Sequence, residues 1–368
     1  MTRARVRLGT GSIRCAAIVI AALCAAVPAV QAAAASAAPA AAGAVATSCK
    51  PAVHLPKDES PHSAPVEWWY FSGHLRGTDA AGHAHTYGYE YVIFQFLGVG
   101  SKPLYYADLS IADLTRKTFH YAGKEDSYTP PATPGKFELH AGAWTMSGGS
   151  GHDALDASLS GYTLDLGLQA TEPAVLQGSC GVIPMGPIGS SYYYSWTSLK
   201  TTGTVTDHGV KIKVTGTSWM DHQWGALELA SGAGWDWFSM QLSNGQQYML
   251  YFIRNDKGTV VVTIGTRVAD AGKDVSHLSP ASFSEKATGS WTSPATHITY
   301  GSGWKVTVPG GTLTVTPDLL DQEVDLVSAQ GVVYWEGDVT ITGRIGGKAV
   351  SGVGYTEINP PEMVPPGA

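Results

Sequence analysis

The stretch that most constrains the fold runs from Ser218 to Arg254 and begins S-W-M-D-H-Q-W-G. Apolar and polar side chains mix in it with the two-residue period of an extended strand. That period divides the segment into two faces: Trp219, Asp221 and Gln223 on one, Met220, His222 and Trp224 on the other. Large aromatic surfaces therefore lie beside titratable groups, an arrangement that suits the wall of a ligand pocket.

The rest of the chain repeats short strand-like segments separated by turn residues. Glu67 to Leu75 and Thr86 to Leu97 flank a glycine-containing turn and predict a β-hairpin. Further segments follow at the spacing of an all-β sandwich or barrel. No sustained 3.6-residue apolar period occurs, and only Asp318 to Ala329 is compatible with a helix. The sequence thus predicts an all-β protein built from antiparallel sheets, and argues against a Rossmann fold or a TIM barrel.

The N-terminus has the features of a secretory signal peptide. Arginines precede an apolar run from Cys15 to Val30, and an Ala-rich tail with several A-x-A sites follows. We expect cleavage within residues 30–48, secretion of the mature chain and no stable membrane insertion afterwards. A retained N-terminal anchor is the alternative, although the tract up to Thr47 has no stop-transfer charges.

Length predicts two domains in the mature chain, because about 300 residues is the limit that one core usually serves. We place a signal peptide and disordered leader at residues 1–48, an N-terminal domain at 49–228 and a C-terminal domain at 229–368. The predicted boundary lies near Leu227 to Gly234, so the stretch that begins at Ser218 crosses it.

Charge and cysteine content restrict the partners and the compartment. Removal of residues 1–48 takes away four of the 23 basic residues and none of the 30 acidic ones, so the mature net charge is 19 − 30 = −11. Nucleic acid and anionic membrane surfaces favour basic patches, which argues against both as partners. Cys49 and Cys180 remain, and an oxidising compartment favours a disulfide between them over two free thiols.

Several catalytic motifs are absent from the sequence. No G-x-S-x-G elbow supports a serine hydrolase, and no glycine-rich loop opening a helix supports a nucleotide cofactor. His83 and His85 lie in a Gly/Ala-rich turn without the further ligands that a metal site needs, so no metal is predicted. Acid–base chemistry in an aromatic pocket is left, and Asp221, His222 and Asp236 are the candidate catalytic residues.

The aromatic residues around these candidates suit an apolar ligand. Glu90 shares a strand face with Val92, Phe94 and Phe96, so it needs either a partner or a wet cavity. Tryptophans of the central stretch could steady a developing carbocation while a buried carboxyl group protonates a C=C bond. The alternative is structural, since tryptophans on strands are often core and a buried Asp–His pair is often a satisfied network.

Three blocks resemble the carotenoid 1,2-hydratase and AttH-like family of lipocalin-like proteins, which is also similar to fungal kievitone hydratase. They are E-W-W-Y-F-S-G-H-L from Glu67, S-W-M-D-H-Q-W-G from Ser218 with G-W-D-W-F-S-M-Q-L after it, and Y-W-E-G with G-V-G-Y-T-E between Tyr334 and Glu357. The resemblance implies two tandem lipocalin-like antiparallel β-barrels and a cavity for a large hydrophobic molecule. It also implies cofactor-free, acid-catalysed addition of water to an isoprenoid double bond.

Residue by residue, the match to the hydratases is incomplete. The His and Trp of their D-H-x-W motif fall on His222 and Trp224. Their Tyr-x-Asp pair is missing, since Tyr248-Met249-Leu250 and Tyr251-Phe252-Ile253 contain no acid. Asp221 or Asp236 is the hypothetical replacement for that acid, and His222 would orient or deprotonate water.

The leading hypothesis is a secreted protein that encloses a terpenoid, isoprenoid or polyketide-like ligand and hydrates or isomerises it without a cofactor. The residues expected to bind the substrate are Trp224, Trp235, Trp237, Glu67, Trp69, Glu90 and Tyr248. The alternatives are a carrier without turnover and a pericyclase, since the same family architecture resembles that of fungal lipocalin-like Diels-Alderases. The sequence makes no prediction of the oligomeric state.

Overall fold

Two antiparallel sheets contain almost all the regular structure of the computed structural model, which describes residues 50–98, 101–229, 231–327 and 331–361. The first sheet has 12 strands and the second has 10. Three 3₁₀ helices lie wholly within the described ranges, at Lys57–Glu59, Gly186–Ile188 and Pro280–Ser282, and Val327 is also helical. The all-β class predicted from the two-residue periodicity is confirmed.

The first sheet uses the chain up to Gly225. Its strands are β1 (Val66–Thr78), β2 (Ala84–Phe96), β3 (Leu104–Asp113), β4 (Thr118–Ser127), β5 (Phe137–Ala141), β6 (Trp144–Gly149), β7 (His152–Leu159), β8 (Tyr162–Ala170), β9 (Val175–Leu176), β10 (Val182–Pro184), β11 (Ser190–Asp207) and β12 (Val210–Gly225). The predicted hairpin is β1–β2, paired from Val66↔Phe96 to Thr78↔Ala84.

The second sheet begins at Gly234. Its strands are β13 (Gly234–Leu242), β14 (Gln247–Arg254), β15 (Val260–Ala269), β16 (Asp274–Leu278), β17 (Ser284–Thr292), β18 (Thr299–Val308), β19 (Gly311–Pro317), β20 (Glu323–Asp325), β21 (Val333–Ile345) and β22 (Lys348–Asn359). The segment that the sequence allowed as a helix, Asp318 to Ala329, contains β20 in its described part and helical backbone at Val327.

Both sheets follow one plan, in which the first strand pairs with the last. The order is β4-β3-β2-β1-β12-β11-β8-β7-β6-β5 in the first and β16-β15-β14-β13-β22-β21-β19-β18-β17 in the second. The first sheet forms a nearly closed barrel and the second a half-barrel. The expected second barrel is therefore open, and its end strands β16 and β17 do not pair with each other.

Three apolar layers result from this arrangement. One fills the first barrel, one fills the concave side of the second sheet, and the third lies between the sheets. Strand β12 shows the alternation that the sequence predicts. Met220 and Trp224 point into the first barrel, whereas Trp219 belongs to the layer between the sheets.

The structure describes one of the two cysteines in the predicted disulfide and the part of the N-terminal arm that begins at residue 50. Cys180 is disulfide-bonded, whereas its predicted partner Cys49 and the predicted signal peptide lie outside the described residues. Ala52 donates its backbone N–H to the Cys180 carbonyl at 2.9 Å, which holds the arm to the first sheet. Within the described ranges, no helix has the length and hydrophobicity to cross a membrane.

Candidate active site

A cavity lies between the two sheets and opens to solvent. The volume that the centre of a water molecule can occupy inside the cavity is ≈ 100 Å³. All the space between the lining atoms, including the open mouth, amounts to ≈ 910 Å³. Its lining comes from both sheets: Trp68, Tyr70, Glu90, Val92, Phe94, Phe96, Tyr106, Asp108, Tyr193, Asp221 and Gln223 from the first, Trp235, Trp237, Tyr251, Tyr334, Glu336, Glu357 and Asn359 from the second, with Leu229 and Val332 beside them. Most of this lining is aromatic or aliphatic, as is usual for ligand pockets.

The strand register explains how distant residues come together on one wall. Tyr70 of β1 lies opposite Asp221 of β12 and Val92 of β2. In the second sheet, Trp237 of β13 lies opposite Glu357 of β22. Residues with directly opposite positions share a face of the sheet, so each sheet presents one continuous aromatic and acidic face to the cavity.

Five carboxyl groups line this cavity, and among its described lining residues none is Lys, Arg or His. They are Glu90, Asp108, Asp221, Glu336 and Glu357. A buried carboxylate without a cation is costly, so such a group raises its pKa and keeps its proton. The cavity is therefore a place where neutral carboxylic acids persist near neutral pH.

Glu90 is the most isolated of the five carboxyl groups. Its side chain is fully buried, and neither carboxyl oxygen receives a hydrogen bond of ordinary geometry from the described residues. Burial, followed by the charges of Asp108 and Glu357, raises its pKa well above the usual value, and the nearby Ser110 hydroxyl offsets this only in part. Glu90 is thus held as the neutral acid.

Glu336 and Glu357 face each other directly across β21 and β22. Like charges at such positions repel, which favours at least one proton on the pair. Burial raises the pKa of Glu357 to about 7, while Asn359 donates to its Oε1 at 2.5 Å. The pKa of Glu336 is also raised, by burial first and then by the charges of Glu357 and Glu90. We call Glu90, Glu336 and Glu357 the acid cluster.

Asp221 differs from the acid cluster because it accepts three hydrogen bonds. Ser195 Oγ and Trp219 Nε1 donate to its Oδ1 at 2.5 and 2.7 Å, and the Tyr193 hydroxyl donates to its Oδ2 at 2.6 Å. Burial raises its pKa to about 7 although all three bonds favour the carboxylate. Asp221 is accordingly a fixed group that can carry a negative charge more readily than Glu90.

Hydrogen bonds across the cavity join the two sheets. The Tyr70 hydroxyl donates to Glu336 Oε1 at 2.8 Å, and Trp237 Nε1 donates to the Tyr193 hydroxyl oxygen at 3.2 Å. Beyond the cavity, His74 Nδ1 lies 2.9 Å from Asp338 Oδ2. These contacts keep the acid cluster and Asp221 in a fixed relation.

His222 points to the other side of β12, into the first barrel. Its Nε2 lies 2.7 Å from Glu67 Oε1, and His62 Nδ1 lies 2.6 Å from the same oxygen. Trp224 stacks on the His62 ring with 3.9 Å between centroids. Burial lowers the pKa of His222 to about 4, so the imidazole is neutral. Burial opposes ionisation of Glu67, but hydrogen bonds from both histidines outweigh it and lower the pKa of Glu67.

His62, Glu67 and His222 are also the residue types that hold metal ions, and their candidate ligand atoms lie within 4.8 Å of one another. Ligand atoms about 2.0 Å from a tetrahedral ion are about 3.3 Å apart. The two N···O separations of 2.6 and 2.7 Å are shorter and match hydrogen bonds. Glu67 Oε2 accepts further bonds from the His62 N–H and from Gln95, so the cluster is satisfied as a hydrogen-bond network.

Asp236 lies on the concave side of the second sheet, away from the cavity. Its carboxylate pairs with Arg254, whose guanidinium also contacts Glu285 Oε1 at 2.9 Å. Tyr248 is buried in the apolar layer on the same side and donates its hydroxyl hydrogen to Gln246 at 2.9 Å. Asp236 and Tyr248 therefore belong to the interior of the second sheet.

The structure thus divides the predicted site residues among three places. Trp235, Trp237, Glu90 and Asp221 line the cavity. Glu67, Trp69, His222 and Trp224 lie in the first barrel, and Asp236 and Tyr248 lie inside the second sheet. The three predicted catalytic residues are not brought together.

Sequence reasoning missed the acids Asp108, Glu336 and Glu357 and the phenol groups around them. The signal that singled out Glu90, an acid on an apolar strand face, was present for two of the three. Glu336 alternates with Tyr334 on β21, and Glu357 alternates with Tyr355 on β22.

Comparison with known proteins identifies the family to which this architecture belongs. The family model described as AttH-like matches residues 46–360. The chain is 30% identical to kievitone hydratase of Fusarium solani subsp. phaseoli over 204 residues, which are 53% of this chain and 56% of that enzyme. The alignment therefore spans little more than half the length of that curated relative.

Solved structures show the same fold. A protein of Nitrosomonas europaea that was assigned to AttH is 27% identical with a TM-score of 0.74, and the match covers 83% of this chain and 96% of that protein. Kievitone hydratase of Nectria haematococca is 19% identical with a TM-score of 0.67, over 83% and 91%. CghA, solved with Sch210972, is 12% identical with a TM-score of 0.54, over 83% and 90%. The last two likenesses establish the fold alone.

Proposed function

This chain belongs to the AttH-like family, and we propose that it adds water across a C=C bond of an apolar small molecule bound between its two sheets. The observation that carries the proposal is the set of five carboxyl groups in an aromatic cavity that has no basic residue in the described part of its lining. An alkene is a weak base, so its protonation needs an acid that is neutral, desolvated and fixed in place. The acid cluster supplies such a group.

Glu90 is assigned as the proton donor. Because neither carboxyl oxygen has a hydrogen-bond partner of ordinary geometry among the described residues, its O–H can turn from the nearby Ser110 hydroxyl toward a ligand. Transfer of that proton to one alkene carbon leaves a carbocation on the other and a carboxylate at Glu90. Water then forms the C–O bond, and the proton it loses restores the neutral acid cluster. The net reaction is alkene plus water to alcohol.

The walls of the cavity stabilise the cationic intermediate. Trp68, Trp235 and Trp237 line it, and aromatic faces attract a cation that has lost its hydration. Asp221 adds a carboxylate anchored by Ser195, Tyr193 and Trp219. In this assignment Asp221 stabilises the cation, while Glu90 gives its proton to the alkene and is reprotonated by the proton that the attacking water loses.

The relatives support hydration as the reaction class. A protein named kievitone hydratase is 30% identical over the aligned part, and a second of that name shares the fold. Kievitone is accordingly the first substrate to try. The substrate is a largely apolar molecule without negative charge, of the terpenoid, isoprenoid or polyketide-like class, because an anion would meet five carboxyl groups.

Incubation with kievitone in H₂¹⁸O followed by mass spectrometry tests the reaction. We expect a product heavier by one molecule of labelled water, and a rate at least 100-fold lower in Glu90→Gln, which keeps the size of the side chain but not the acid. Glu138→Gln makes the same chemical substitution on the exposed face of β5 and serves as the control. Equal rates in Glu90→Gln and Glu138→Gln would contradict the assignment of the acid.

A carrier or pericyclase is the alternative function, favoured by the fold shared with CghA. Both alternatives predict that ligand binds without uptake of ¹⁸O, and a pericyclase additionally gives an isomer of unchanged mass. The same assay therefore separates the three functions.

We further propose that residues 1–48 direct export of the protein. Recovery of the protein from the culture medium with a new N-terminus within residues 30–48 would support this. An intact N-terminus in the membrane fraction would favour the anchor.

A further inference from the structure

The cavity carries more acid than a neutral ligand requires. One proton donor and one carboxylate suffice for hydration of an alkene, yet five carboxyl groups line the cavity without a basic lining residue among the described ones. Glu90 is fully buried there, and neither of its oxygens has a hydrogen-bond partner of ordinary geometry in the described chain. A buried polar group left in this way has its capacity available for a ligand.

The apolar part of the lining is equally suited to positive charge. Trp68, Tyr70, Trp235, Trp237 and Tyr251 all line the cavity. Rings of this kind bind ammonium groups through their negative faces, most strongly when the cation is desolvated. Aromatic rings together with buried carboxyl groups form the chemistry that recognises hydrophobic amines.

We propose that this cavity is a cation-selective site whose high-affinity ligands are apolar molecules bearing a protonated amine. The ammonium group lies against the acid cluster, and the apolar remainder lies against the tryptophans. This inference rests on the proposed function only because both assign the same cavity as the ligand site. The ammonium group of the amine occupies the position of the carbocation that hydration would form there.

Binding of an amine releases protons from the cavity. The carboxyl groups that face it come from five strands: Glu90 of β2, Asp108 of β3, Asp221 of β12, Glu336 of β21 and Glu357 of β22. The other titratable lining groups are tyrosines, which are phenols and stay neutral near pH 7. An arriving ammonium favours the carboxylate form of these acids, so protons leave as it binds and its affinity rises with pH until the acids are ionised.

Three matched naphthalenes test the selectivity by calorimetry at pH 7. They are 1-(dimethylaminomethyl)naphthalene, a cation at this pH, 1-isobutylnaphthalene, its uncharged isostere, and 1-naphthylacetate, an anion. We expect the cation to bind at least tenfold more tightly than the isostere, and the anion more weakly than either. Titrations in phosphate and in Tris should differ in enthalpy by an amount that reports proton release on binding of the cation.

Glu90→Gln should remove most of the preference for the cation while leaving the uncharged isostere unaffected, and Glu138→Gln should leave both unchanged. If Glu90→Gln does not fold, the comparison of the three probes on the native protein decides. Equal affinity for the cation and the isostere overturns the inference while leaving the cavity as a ligand site. Absence of binding by all three up to about 1 mM, which is weaker than specific ligands usually bind, overturns both. Failure to hydrate kievitone with cation selectivity intact counts against the proposed reaction alone.

Discussion

Replacement of Glu357 by glutamine is expected to stabilise the protein above pH 7 and to change its stability little near pH 4.5. Burial raises the pKa of Glu357 from 4.5 to about 7, and the charge of Asp221 acts in the same direction. The folded state therefore keeps a proton that the unfolded chain releases. Between these two pKa values the free energy of unfolding falls as the pH rises, because the folded state binds more protons than the unfolded one.

The size of the effect follows from the pKa difference. Each pKa unit corresponds to about 1.4 kcal/mol, so the shift from 4.5 to about 7 corresponds to about 3 kcal/mol above pH 7. Glutamine has no charge to lose and retains an oxygen that can accept the hydrogen bond from Asn359. We expect Glu357→Gln to recover about 1–3 kcal/mol at pH 8.5, which is a rise of a few degrees in Tm.

Thermal unfolding at pH 4.5 and pH 8.5 measures this difference, with Glu138→Gln as the control for loss of one negative charge. The stabilisation by Glu357→Gln relative to Glu138→Gln should be present at pH 8.5 and absent at pH 4.5. Equal effects of the two substitutions at pH 8.5, or a loss of stability in Glu357→Gln at that pH, would refute the view that Glu357 is buried as a neutral acid.

Three further outcomes are expected. His222→Gln leaves the buried Glu67 carboxylate with a weaker partner, so the free energy of unfolding measured with urea should fall by on the order of 3 kcal/mol. Probe binding in the cavity of the folded variant should persist. Loss of binding without loss of stability would place His222 in the ligand site. Arg254→Met leaves Asp236 and Glu285 facing each other, so it should destabilise the protein more at pH 8.5 than at pH 4.5; equal losses would show that the pair is not ionised. The hydration rate should fall at alkaline pH, where the donor Glu90, whose pKa burial raises well above its usual value, loses its proton, and a rate that rises there would exclude a carboxylic acid as the donor.

Local periodicity was enough to predict the all-β class and the two faces of β12. The two-residue alternation assigned Trp219 and Met220 to opposite faces of one strand, and the structure confirms it. The same reasoning identified Glu90 as an acid that needs either a partner or a wet cavity, and Glu90 lines a cavity. Both inferences depend only on the order of residues along one strand, which can be read directly from the sequence.

The prediction that Asp221, His222 and Asp236 form one catalytic site is not supported by that periodicity. Asp221 and His222 are adjacent on β12, and Trp235 and Asp236 are adjacent on β13, so each pair projects to opposite sides of its sheet. Only Asp221 and Trp235 face the cavity. Proximity in sequence thus predicted one site, whereas the pleat of the strands distributes these residues among the cavity, the first barrel and the interior of the second sheet.

The acid cluster could not be assembled from the sequence, because it depends on how two sheets pack. Tyr70 and its partner Glu336 are 266 residues apart. Periodicity shows that Glu336 and Glu357 lie on strand faces, but the face that meets the other sheet is decided by the pairing of β13 with β22 and by the layer between the sheets.

A crystal structure of the complex with 1-(dimethylaminomethyl)naphthalene tests the location of the site most directly. We predict that the probe lies between the sheets, with its rings against Trp68 and Trp235 and its ammonium group beside Glu90. Density for the probe inside the first barrel, next to His222 and Trp224, would contradict the assignment of the cavity between the sheets as the functional site.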